Sequence, residues 1–143
     1  MLTLPVRPAF AQAGTAVKES GKAAAETAWN KRIGNVGQAC TSNKRMIVMD
    51  DIYDEFVERY AAQAQRVKVG YPHDPDTEVG ALVHPEHFAK VMSYVEIGKG
   101  EGRLVAGGGQ PEGFAFGNFV APTVFADVSP DARIFQEEIF GPV

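Results

Sequence analysis

A stretch of regular hydrophobic spacing constrains the fold of this chain more than any other feature. Between Asp51 and Val67, apolar side chains recur at steps of three and four residues, which places them on one face of an α-helix. The stripe consists of Ile52, Phe56, Tyr60, Ala64 and Val67. The run before it, Lys44 to Asp50, is short, largely apolar and bounded by charges, which predicts a buried strand.

Further predicted elements also alternate between helix and strand. An alanine-rich run favours the first helix, and Pro85 suits the first turn of another, which Gly98 would terminate. In chain order the predictions are helix 20–32, helix 85–97, strand 103–106, two strand pieces within 119–128 separated at Pro122, and a turn and short helix within 129–137. Strands that alternate with helices predict an α/β fold.

Length and charge limit the classes of function. The 143 residues suffice for one domain, and 45% of them are hydrophobic. The net charge is −4 and the 14 Lys and Arg residues are scattered, which argues against a nucleic-acid partner. No apolar run is long enough to cross a bilayer. The single cysteine suits a reducing compartment, so we expect a cytoplasmic protein.

The first twenty residues differ from the rest. Their apolar start is interrupted by Pro5, Arg7 and Pro8, and no basic segment precedes it, so we do not interpret it as a signal peptide. We expect residues 1–20 to be a disordered segment.

Cys40 lies between the first helix and the strand that begins at Lys44, where Gly34 and Gly37 allow a sharp turn. A free cysteine is commonly a small buried hydrophobic residue. A turn that presents the thiol would instead make it a nucleophile. Both interpretations are open on this evidence alone.

The flanking residues favour the nucleophile. Asn35, Gly37, Gln38 and Cys40 match a nucleophile motif, and the sequence Glu-Glu-Ile-Phe-Gly-Pro follows at residues 137–142. In this order the two motifs resemble those of the aldehyde dehydrogenase superfamily. The resemblance covers about residues 22–143, so we expect residues 21–143 to form part of the catalytic domain, without the NAD-binding domain.

The resemblance implies oxidation of an aldehyde to a carboxylate with NAD or NADP. Cys40 would attack the aldehyde through a thiohemiacetal and a thioester, and the tight turn would let its amide stabilise the oxyanion. Glu138 would bind the nicotinamide ribose, and Phe140 would pack near the nicotinamide ring. An ordinary thiol is only a few per cent ionised at neutral pH, so a neighbouring base or positive dipole would be needed.

Other parts of the family pattern are not in this sequence. The general-base glutamate motif would fall near Val6, where it does not occur, and the strand through which family members usually form homo-oligomers would follow later. We therefore expect the chain alone to be incomplete and inactive. It would be a segment of a working enzyme or a non-catalytic remnant with a structural or interaction role.

Two polar groups invite a metal interpretation. His84 and His87 stand three residues apart at a predicted helix start, but no third ligand of suitable spacing follows. The acidic residues at the start of the helix that begins at Asp51 suit its dipole and solvent-facing side. We therefore expect no metal site.

Overall fold

Helices supply most of the regular structure. The computed structural model describes residues 6–8 and 21–143. The helices are α1 (Gly21–Arg32), α2 (Asp50–Arg66), α3 (Pro85–Glu101) and α4 (Arg133–Gln136), and the strands are β1 (Val6–Pro8), β2 (Ile47–Met49), β3 (Arg103–Ala106) and β4 (Val124–Ala126). A short 3-10 segment, Gly34–Gly37, follows α1.

The strands form two antiparallel pairs. In the first, β1 pairs with β2, with Val6 opposite Met49 and Pro8 opposite Ile47. In the second, β3 pairs with β4, and a register shift lies between Leu104 and Ala106. Strands and helices together give the mixed fold that the sequence predicts.

The first hydrophobic core lies between α1 and α2. Trp29 of α1 meets Tyr60 edge to face, with 5.5 Å between ring centroids, and Phe56 stacks on Tyr60 at 5.7 Å. Tyr53 is almost fully buried, and its hydroxyl donates to Asp127 Oδ1 at 2.5 Å. This contact ties α2 to the residue after β4.

The second core surrounds α3. Val91 and Val95 of that helix are fully buried against Phe125 of β4 and Ile134 of α4. Ile33, just after α1, packs against both cores. The residues that follow Ile33 therefore start from a well-packed position.

The structure confirms the predictions of α1 and α2 to within a residue at each end. The predicted end of α3 at Gly98 is wrong, because the helix continues to Glu101. A Cβ at Gly98 would lie 2.6 Å from the Phe125 ring, so this glycine permits close packing and does not end the helix. Within α2, the stripe omitted Tyr53, which is more deeply buried than Ile52.

The strand predictions are correct in part: the piece predicted before Pro122 does not form a strand, and two of the others are too long. Residues 103–106 form β3 as predicted, whereas only Ile47–Met49 and Val124–Ala126 of the longer predicted stretches pair as strands. Phe119 and Val120 are buried without belonging to a strand. Of the segment predicted to be disordered, Val6–Pro8 form β1, and the remaining residues lie outside the described ranges.

Candidate active site

The approach to Cys40 is an unusual left-handed turn. Asn35, Val36 and Gly37 have φ angles of 50°, 60° and 70°. Positive φ is uncommon for residues other than glycine and is especially unfavourable for a β-branched valine. The turn is held by the Gln38 amide, which donates to Asn35 O at 3.0 Å, and by the Asn35 side chain, which donates to Gln38 O at 3.0 Å. Val36 is buried in the second core, which helps to stabilise its conformation.

Gly37 brings this turn against the segment 138–143. A Cβ built on Gly37 would lie 2.4 Å from the carbonyl oxygen of Gly141, a distance that no real side chain tolerates. Gly37 therefore serves two purposes, a positive φ and a close approach between two backbones. The two motifs found in the sequence meet at this point.

Cys40 follows in a second turn, with its side chain exposed. The Ser42 amide donates to Ala39 O at 3.1 Å and closes this turn. The ammonium of Lys44 donates to the carbonyl oxygens of Ala39, Cys40 and Ser42 at 3.0, 3.2 and 3.2 Å. The thiol is thus presented on a turn whose carbonyl groups point toward a lysine.

The same ammonium connects the turn to Glu138. Lys44 Nζ lies 2.7 Å from Glu138 Oε1, and the Lys44 side chain is 12% exposed whereas that of Glu138 is 51% exposed. The hydrogen bond from Lys44 is the main reason why the pKa of Glu138 is lowered, and the charges of Lys90 and Arg45 add to the effect. Glu138 is therefore held as a carboxylate beside the Cys40 turn.

Phe140 borders a cleft next to the turn. Its backbone has a φ of 58°, and its carbonyl oxygen lies 2.6 Å from His87 Nε2, which must carry the proton because a carbonyl only accepts. Its ring lies 5.9 Å from Lys44 Nζ. The cleft has a volume of about 440 Å³ and is lined by Asn35, Gln38, Val83, His84, His87 and Phe140. It is large enough for a small organic ring.

Arg32 supports the site from inside. This last residue of α1 is 5% exposed, and its guanidinium donates to Ser42 Oγ at 2.9 Å, to Gly141 O and to Val143 O at 2.5 Å. The Ser42 hydroxyl in turn donates to Arg32 O at 2.8 Å. Burial lowers the pKa of Arg32, and the nearby Tyr60 and Glu138 oppose that effect. The local sequence pattern predicts Arg32 only as a helix terminus, because nothing in it indicates burial.

The histidines near the cleft have structural partners. His84 caps the start of α3, where its ring accepts from the His87 amide at 3.1 Å. Among the described residues no group of three His, Cys, Asp or Glu side chains is placed to hold a metal ion. Within the same residues, no helix has the length and apolar content needed to span a membrane.

Comparison with known proteins decides the family. The sequence profile of the aldehyde dehydrogenase family matches residues 17–143. The chain belongs to this family. Among the curated aldehyde dehydrogenases that it resembles is 1-pyrroline-5-carboxylate dehydrogenase of Bacillus subtilis, 48% identical over 110 residues, which cover 77% of this chain and 21% of that protein.

Solved aldehyde dehydrogenase structures give the same result. One of these structures is 1-pyrroline-5-carboxylate dehydrogenase from Thermus with bound NAD. The chain superimposes on it at a TM-score of 0.79 and is 46% identical to it, over 86% of this chain and 23% of that one. HpcC from Thermus thermophilus gives a TM-score of 0.82 and 35% identity over 90% of this chain and 26% of that one. The chain therefore spans about a quarter of the length of these aldehyde dehydrogenases.

Proposed function

We propose that this chain supplies the nucleophile segment of an aldehyde dehydrogenase that oxidises an aldehyde to a carboxylate with NAD or NADP. The observation that carries the proposal is the meeting of the two motifs. The exposed Cys40 lies on a turn that Lys44 joins to Glu138, and Gly37 lets the turn pack against Gly141. Residues far apart in sequence thus form one candidate site.

In this proposal Cys40 is the nucleophile. Its thiolate attacks the aldehyde carbon to form a thiohemiacetal, and the Cys40 backbone amide donates to the resulting oxyanion. A bound NAD or NADP would supply the acceptor for the hydride that leaves this carbon. The thioester that remains on Cys40 is then attacked by water, which releases the carboxylate and restores the thiol. This last step requires a general base, and we assign that role to none of the described residues.

Glu138 and Phe140 have the chemistry needed to hold the cofactor. One oxygen of the Glu138 carboxylate binds Lys44, and the half-exposed side chain leaves acceptor positions for a ribose hydroxyl. The aromatic ring of Phe140 lines the adjacent cleft, where it offers a flat apolar surface for the nicotinamide. We assign these two residues to the cofactor and Cys40 to the aldehyde.

The names of several relatives suggest the first substrate to test, 1-pyrroline-5-carboxylate. We also propose that the enzyme is cytoplasmic, which its single cysteine suits, and homo-oligomeric, as members of the family usually are. These assignments extend beyond the segment itself, because the chain spans about a quarter of its relatives.

A chimeric enzyme tests the proposal. Residues 21–143 would replace the matching segment of the Bacillus subtilis 1-pyrroline-5-carboxylate dehydrogenase. We expect the chimera to form NADH with its aldehyde substrate, and Cys40→Ser to abolish this activity while cofactor binding persists. A folded chimera that binds NAD but forms no NADH would contradict the proposal and favour a non-catalytic remnant.

A further inference from the structure

Lys44 has a role beyond its ion pair with Glu138. We propose that Lys44 is a positioning residue that orients and polarises the peptide group between Ala39 and Cys40, and so prepares the Cys40 amide to stabilise an oxyanion. The oxyanion role of that amide rests on the proposed function. The placement of the peptide group by Lys44 is a separate claim.

The Lys44 ammonium is surrounded by oxygen atoms of the Cys40 turn and of Glu138. Four oxygen atoms of the described residues lie within 3.2 Å of Lys44 Nζ, three from the Cys40 turn and one from Glu138. An ammonium has only three protons, so at least one is shared between two acceptors. Lys44 thus binds several carbonyl groups of the turn in addition to forming its ion pair with Glu138.

The geometry of the peptide bond between Ala39 and Cys40 fixes the direction of the Cys40 N–H. The carbonyl of Ala39 and the amide of Cys40 belong to one planar trans unit, in which C=O and N–H point in opposite directions. Ala39 O accepts from Lys44 at 3.0 Å and from the Ser42 amide at 3.1 Å, so two donors fix this plane. The Cys40 N–H therefore points away from Lys44.

The positive charge of Lys44 polarises the same peptide group. A cation that binds the carbonyl oxygen draws electrons from the peptide unit and makes its N–H a stronger donor. The Lys44 side chain is only 12% exposed, so solvent screens its charge less than that of a surface lysine. The oxyanion would meet a donor that is both fixed in direction and polarised.

The neighbouring cation shows that this arrangement is specific to Lys44. Arg45 donates to Gln136 O at 3.3 Å, and its guanidinium lies 5.4 Å from the centre of the Phe135 ring. It contributes to the field at Glu138, but these two contacts direct its guanidinium toward residues 135 and 136. Lys90 likewise acts on Glu138 through its charge.

Nuclear magnetic resonance of the labelled 143-residue chain tests the claim without turnover. Lys44→Met should change the residual dipolar coupling of the Cys40 N–H, which reports the orientation of its peptide plane, and should shift its proton resonance upfield. The same variant should raise the pKa of Glu138, because the hydrogen bond that lowers it is lost. Lys99→Met is the matched control, since it removes an exposed ion pair of 2.6 Å with Glu96 on α3. It should leave both signals unchanged.

Kinetics of the chimera provide a second readout. Lys44→Met should lower kcat by about tenfold to a hundredfold with little change in KM, since a misdirected oxyanion donor costs less than the loss of one. Lys44→Arg, which keeps the charge, should restore part of the rate. A purely structural lysine would reduce the amount of folded enzyme and leave kcat per folded molecule unchanged.

Either of two outcomes would overturn the positioning role of Lys44. One is an unchanged Cys40 coupling in Lys44→Met, and the other is a wild-type Cys40 amide whose coupling averages to that of a disordered chain. If the chimera with Lys44 intact forms no NADH, the proposed function fails while the resonance data still decide the role of Lys44.

Discussion

Substitution of Gly37 by alanine tests the contact between the two motifs. A Cβ at this position would lie 2.4 Å from Gly141 O and 2.9 Å from Gly141 C, so the segment 138–143 must move away from the turn. Gly34 is the matched control, because it lies three residues earlier and a Cβ there would meet nothing within 4 Å. Gly37 differs from Gly34 in its positive φ and in its close approach to Gly141, so the pair separates these two effects from the general effect of replacing a glycine.

The size of the effect follows from two costs and one gain. A residue other than glycine at a φ of 70° costs about 1–2 kcal/mol. Forcing a methyl group into packed backbone costs about 1–3 kcal/mol. Alanine also makes the unfolded chain less flexible than glycine does, which stabilises the folded state by about 0.4–1 kcal/mol. We expect Gly37→Ala to lower the free energy of unfolding by about 1–5 kcal/mol, a substantial fraction of the roughly 5–15 kcal/mol typical of a domain.

Urea denaturation followed by tryptophan fluorescence measures this difference, because Trp29 is buried in the first core. Gly34→Ala should change the free energy of unfolding by less than about 1 kcal/mol in either direction. If Gly37→Ala were as stable as Gly34→Ala, the two segments would not be in contact in solution, and the assembled site would be refuted.

Other predictions concern Arg32, Tyr60 and Cys40. Arg32→Met should cost about 3 kcal/mol in urea denaturation, because it leaves buried acceptors without a donor, whereas exposed Arg59→Met should cost less than about 0.5 kcal/mol. Burial raises the pKa of Tyr60 above its ordinary value of about 10, so unfolding releases a proton from this phenol in alkali, and Tyr60 alone should make the free energy of unfolding fall by up to about 1.4 kcal/mol per pH unit above pH 10. Tyr60→Phe should weaken this slope, which urea denaturation at a series of alkaline pH values measures. Iodoacetamide should alkylate exposed Cys40 within about tenfold of its rate in denatured protein, and protection by several orders of magnitude would contradict its placement on the surface.

Local sequence patterns predicted the helices because helix formation depends mainly on residues that are close together in the sequence. The α2 stripe identified Phe56, Tyr60 and Ala64 as buried, which the structure confirms. It missed Tyr53, because a helix face is wide and the Tyr53 hydroxyl finds its partner, Asp127, far along the chain. The sequence alone contains no sign of that partner.

The site was predictable in part for the same reason. The motifs indicated Cys40, Glu138 and Phe140, and the structure brings the turn of the first into contact with the segment of the other two, while their chemical roles remain proposals. Sequence reasoning missed Arg32 and Lys44, whose partners become neighbours only after folding. The prediction that α3 ends at Gly98 was wrong because a glycine that ends a helix and one that packs against an aromatic ring look alike in sequence.

The contacts of Arg32 also order events during synthesis. Its partners Gly141 and Val143 lie 109 and 111 residues further along the chain. At roughly 5–20 residues per second, the ribosome needs about 5–20 s to make that stretch. From the synthesis of Cys40 onward, which is all but the first eight residues of this interval, the chain contains the thiol but lacks the carbonyl groups that Arg32 will bind. Cys40 is thus translated early, whereas the contacts that fix its turn form late, so any chaperone or oxidant that meets the nascent chain encounters the thiol before its supporting structure exists.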